Sequence, residues 1–111
     1  MPLPDSLQLS VTSVADRVLR GDTGDWVLLD VREPWECMLA RLPFGLHVPM
    51  QEVPDRLDEL PSDRAILCLC HHGVRSARVA AWLRSRGHDA RNIDGGIDAW
   101  SIEVDPAIPR Y

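Results

Sequence analysis

The stretch "LCLCHHGVRSARVAAW", residues 67–82, sets two cysteines, two histidines, a glycine and an arginine between a run that reads as a strand and one that reads as a helix. A thiol at such a junction has particular chemistry open to it. If the strand ends at Leu69 or Cys70 and the helix starts near Ser76, the amides of His71, His72, Gly73, Val74, Arg75 and Ser76 can curl into a nest of donors. Those amides, the positive end of the helix dipole and Arg75 all favour a thiolate, so Cys70 reads as a nucleophile at neutral pH. Gly73 suits the left-handed backbone that turns amides inward. A second reading is equally open on these residues alone: a free cysteine is often only a small apolar residue closing a buried strand.

The other thiols read more plainly. Cys68 lies two residues before Cys70, on the same strand face, and is read as buried filler; Cys37 is read the same way. Structural zinc sites favour a C-x2-4-C pair with a second, distant pair, which this chain lacks, so neither a metal nor a cofactor is expected. Three cysteines are an odd number and argue against a disulfide framework. All 12 basic residues are arginine, which removes Schiff-base chemistry and the lysine of a phosphate-binding loop.

The elements that position the loop follow from the apolar pattern. "LQLSV" is an opening strand, and Ser13 with Asp16 reads as a capping pair for a helix carrying Val14, Val18 and Leu19. "DWVLLDV" and "RAILCLC" run apolar without alternation, the mark of strands buried on both faces. Pro34 and Pro43 bracket a segment that reads as irregular, "LHV" reads as a short strand, and Val53, Leu57 and Leu60 recur at helical spacing after Pro54. "SARVAAWLRSRG" reads as a helix, "ARNID" as a last strand, and "GGIDAWSIE" as a turn into a short helix. The alternation predicts an α/β fold: a mostly parallel central sheet of about five strands with helices on both faces.

At 111 residues, 45% of them hydrophobic and 26% charged, the chain reads as a single domain, with residues 103–111 as a tail. No apolar run approaches the ~20 residues of a membrane span, and the start lacks a secretory pattern, so a cytoplasmic location is expected. A net charge of −5 argues against nucleic-acid partners. From Cys70 to Arg86 there are four arginines and no acid, so the sequence predicts a local electropositive patch that draws small anions.

Four motifs together resemble the rhodanese family of sulfurtransferases: "CHHGVRS" at 70–76, its active-site loop; "LLDVREPWE" at 28–36; "RLPFGLHVP" at 41–49; and "DGGIDAW" at 94–100. The resemblance covers nearly the whole chain. It implies a rhodanese-like fold and transfer of a sulfane sulfur from thiosulfate or a similar small anionic donor, through a persulfide on Cys70, to a thiophilic acceptor such as cyanide or a thiol. By the same resemblance residues 71–76 bind the donor, Arg75 holding its anionic end, while Asp30 and Arg32 form an ion pair that supports the loop. Trp35 is placed at the pocket wall or in plain packing, and Trp100 in the core. The alternative in the same family is a relay module that exchanges persulfide sulfur with a donor or acceptor protein. Cysteine phosphatases and arsenate reductases use a related loop, but with Cys-x5-Arg; Cys70-x4-Arg75 makes a smaller cradle. The chain departs from the family pattern at Phe44, where glycine usually follows the proline, and at Cys37, commonly an aromatic.

Overall fold

The computed structural model describes residues 3–111. Five strands, β1 (Gln8–Leu9), β2 (Trp26–Asp30), β3 (Leu46–His47), β4 (Ala65–Leu69) and β5 (Ala90–Ile93), form one sheet in the order β1-β5-β4-β2-β3. Every pairing is parallel, with Leu29 opposite Cys68 and Asn92 opposite Cys68 on the other side. The helices are α1 (Val11–Leu19), α2 (Pro34–Leu39), α3 (Val74–Ser85) and α4 (Gly96–Glu103), with a 3-10 helix at Met50–Glu59.

The central strands are buried on both sides, and strand parity divides their apolar runs between two cores. Leu28, Leu67, Leu69 and Ile93 meet α1 and α4 through Val14, Ile97 and Trp100. Leu29, Val31, Ile66, Cys68 and Cys70 meet the opposite layer through Val53, Val79 and Leu83. The shared face expected for Cys68 and Cys70 is the α3 face.

Several local expectations change. Helix α1 is capped by Ser10, which accepts from the Ser13 amide, because the helix begins one turn earlier and buries Val11; Leu19 is exposed. The segment after Pro34 is helical: proline at the first position is preset in φ and gives up no hydrogen bond, and Glu33 and Glu36 form a reciprocal capping box. The element around Pro54 is a 3-10 helix broken in φ/ψ at Arg56. Among the described residues no helix is long and apolar enough to cross a membrane.

Candidate active site

Cys70 follows the last residue of β4 and is 1% exposed. Its Sγ faces three donors: the Gly73 amide at 3.1 Å, the Ser76 amide at 3.4 Å and Ser76 Oγ at 3.2 Å. The helix begins at Val74 rather than near Ser76, so the Ser76 amide belongs to the first turn of α3, where no intrahelical carbonyl is available to it. Gly73 is the residue before the helix and has φ +94°, the left-handed conformation its sequence position predicted. The two amides donate outright and the Ser76 hydroxyl has one proton for this sulfur or a second acceptor, so a thiolate, or a persulfide anion grown from it, is the sulfur form that suits the cradle.

The loop is clamped from behind by α4. Ile97 and Asp98 donate their amides to the carbonyls of Cys70 and His71, at 2.9 and 3.1 Å. Gly96, at φ +62°, lies so close that a Cβ there would overlap both carbonyl oxygens. This close approach is the physical reason for the second glycine of "DGGIDAW"; at the first, Gly95, φ is +81° and a Cβ would meet Ala99.

Ser76 is held in turn by Asn92, which accepts from Ser76 Oγ at 2.6 Å and donates to the Gly73 carbonyl at 3.0 Å and to Gln8 Oε1 at 2.7 Å. Sequence reading passed over Asn92, although a polar residue inside a strand buried on both sides is itself a signal, since its amide must find partners.

Arg75 turns its guanidinium to Glu36, with Nη1 and Nη2 at 2.6 and 2.8 Å from the two carboxylate oxygens. Those bonds, reinforced by Tyr111, hold the Glu36 carboxyl down at about 2 despite its burial. The expected electropositive patch is therefore tempered by acids from outside the stretch: Glu36 at Arg75 and Asp89 at Arg84, while Arg86 stacks on Trp82. A guanidinium carries five N–H groups, so Arg75 keeps some for another acceptor.

Asp30 and Arg32 form the ion pair expected, fully buried on the arginine side, with Arg32 Nε and Nη2 at 2.9 and 2.8 Å from the carboxylate. It reaches the loop indirectly: Arg32 Nη1 donates to Tyr111 Oη at 3.0 Å, and Tyr111 donates to Glu36 Oε2 at 2.7 Å. Glu36 and Tyr111 are thus two further site residues that sequence reading left without a role.

His71 stacks between His72 and Tyr111, 3.9 Å from each ring centre, and Val74 is exposed. Burial, with His72 alongside, lowers the His71 pKa. His71, His72 and Asp98 bring ligand-type atoms within 4.8 Å of one another. Arg110 already holds both Asp98 oxygens, and the stacked imidazoles run their in-plane lone pairs side by side, a poor fit to one ion. Cys68, fully buried, has its thiol pushed up by burial and by its neighbour Cys70. Cys37 donates weakly to Asp30 at 3.7 Å and is also pushed up, by burial and by Asp30. Trp35 is 60% exposed and Trp100 is in the core.

The fold and site define a parallel α/β domain that holds a cysteine in an amide cradle at a strand end, ahead of a helix, where such sheets place their sites. Comparison with known proteins names the family. The family model for the Rhodanese-like domain matches residues 14–103, and the chain belongs to that family. It is 38% identical over 88 residues to a protein of Allochromatium vinosum named "Sulfurtransferase", covering 78% of this chain and 82% of that one. It is 43% identical over 89 residues to rhodanese-like/PpiC domain-containing protein 12 of Arabidopsis thaliana, covering 76% of this chain but only 30% of that longer protein. The crystal structure of a rhodanese-like domain protein from Staphylococcus aureus superposes with a TM-score of 0.80 at 27% identity, over 94% of this chain and 97% of that one.

Proposed function

We propose that this protein carries a sulfane sulfur on Cys70, taking it from thiosulfate or a similar small anionic donor and giving it to a thiophilic acceptor such as cyanide or a thiol. The observation that carries this reading is the convergence of the Gly73 amide, the Ser76 amide and Ser76 Oγ on one sulfur. In the first step the Cys70 thiolate attacks the outer sulfur of thiosulfate. A new S–S bond forms, the original one breaks, and its electron pair leaves with sulfite. The cradle then holds a persulfide anion. In the second step the acceptor attacks the terminal sulfur and Cys70 departs as a thiolate, so the kinetics are ping-pong. Loop amides, with the N–H groups of Arg75 not engaged by Glu36, stabilise the anions. A reducing, cytoplasmic setting suits three free thiols.

A relay that takes sulfur from a protein is favoured by one observation: Trp35, Met38 and Val74 stand exposed on α2 and at the start of α3. Intact mass spectrometry after thiosulfate, without reductant and then with cyanide, tests the proposal. A single-sulfur adduct that requires Cys70 and disappears with cyanide is expected. No adduct on the unaltered protein would reject thiosulfate as donor and leave the protein-fed relay, and an adduct on Cys70→Ser would place the chemistry on another thiol.

A further inference from the structure

The tail after α4 is folded back on the molecule. Asp105 donates its amide to the Trp100 carbonyl at 2.9 Å, Ser101 Oγ donates to the Ile108 carbonyl, and Arg110 Nε pairs with Asp98 at 2.8 Å. Ile108 and Tyr111 pack against the core beneath α1 and α4. This routing lays the Tyr111 ring flat on His71, 3.9 Å between centres and 9° between planes, with Trp35 in a T-shaped contact, 6.3 Å between ring centres. The Tyr111 hydroxyl sits between Arg32 and Glu36, and Glu36 holds Arg75. One side chain therefore touches the residue next to the thiol and, through Glu36, the arginine at the far end of the loop.

We propose that Tyr111 is a specificity-determining residue of the Cys70 site, its ring a fixed wall at the mouth that admits small sulfur donors and acceptors and turns away bulky ones. The words donor and acceptor rest on the sulfur-carrier reading above; the wall rests on the ring's fixed place against His71, the residue next to the thiol. The ring is held by a stack, an edge contact and two hydrogen bonds. Moving it would take one hydrogen-bond partner from each of Arg32 and Glu36, one side chain fully buried and the other nearly so. Beneath it, His71 is stacked between two rings, and its Nε2 is buried with no hydrogen-bond partner among the described residues. Cys70 is only 1% exposed, so the side chains packed against its loop, Tyr111 on His71 among them, set what reaches the thiol.

The test measures alkylation of Cys70 in a Cys37→Ser background with N-ethylmaleimide and with a bulky N-aryl maleimide, alongside kcat/KM for thiosulfate and for glutathione persulfide. Tyr111→Ala should raise the bulky-to-small alkylation ratio about tenfold, with the donor preference moving the same way, while Tyr111→Phe keeps the original ratio. A ratio unchanged in Tyr111→Ala, or equally raised in Tyr111→Phe, overturns the proposal. If circular dichroism shows Tyr111→Ala unfolded, Tyr111→Leu, which keeps apolar volume but loses the flat ring, must raise the ratio or the proposal falls. A raised ratio in a protein that moves no sulfur would leave the wall standing and reject the sulfur-carrier reading; sulfur transfer with an unmoved ratio would do the reverse.

Discussion

Asn92 illustrates how much one buried amide can decide at the residue scale. Both of its N–H groups have acceptors, the Gly73 carbonyl and Gln8 Oε1, so its oxygen must face Ser76 and receive that hydroxyl's proton. When Cys70 ionises, the hydroxyl can rotate to the sulfur instead, since one proton serves either partner. Asn92→Asp replaces the NH2 by an oxygen that faces two other acceptors. It should cost about 1–3 kcal/mol in urea titration and slow iodoacetamide alkylation of Cys70 roughly tenfold. Alkylation at the unaltered rate would show that the loop holds its shape without Asn92. Gly96→Ala probes the same loop from α4. Overlap with the Cys70 and His71 carbonyls, added to a positive φ, should destabilise by more than about 1 kcal/mol, and a thermal midpoint that does not fall would contradict the close approach.

At the scale of elements, α2 is the piece that ties the loop to the rest of the site. Its Glu36 caps the helix by accepting from the Glu33 amide, and meets Arg75 and Tyr111 with the same carboxylate. The folded-state pKa, about 2, lies below the ordinary value of 4.5. A carboxyl lowered on folding stabilises fully above its unfolded pKa, so this contribution is complete above about 4.5 and is lost as pH falls towards about 2. Stability measured across that window should fall less steeply in Glu36→Gln than in the parent. The variant should also be weaker at neutral pH, by about 1–3 kcal/mol, because Arg75, 32% exposed, exchanges its carboxylate for water and the amide. Matching slopes in the two proteins would mean that Glu36 is not ionised in the way its contacts imply. None of this was visible from helix propensity, because the segment between Pro34 and Pro43 shows only six helical residues and its cap is the acid pair Glu33 and Glu36.

For the whole molecule, the two cores fix which thiols can react. Cys68 is sealed between β2, β5 and the α3 layer with its thiol pushed up by burial, while Cys37 is half-buried beside Asp30. Native thiol titration at neutral pH should modify Cys70 first, Cys37 slowly and Cys68 only on global unfolding, so Cys68 labelling should track the unfolding free energy. Mass mapping that finds Cys68 modified under native conditions would contradict the packing. The sequence by itself determined the alternating α/β order, the parallel sheet, the position of Cys70 at a strand end and the glycine turn that follows it. These are local matters: unbroken apolar runs, helix spacing and a thiol beside Gly73 are all written within a few residues of each other. Only the tertiary structure decided that Arg75 belongs to Glu36, that Asn92 holds Ser76, that Gly96 makes room for the loop and that Tyr111 meets Glu36 and His71. Those partners lie 16 to 75 residues apart in the chain, and no local propensity specifies which polar side chains parallel crossovers will bring to the same end of the sheet.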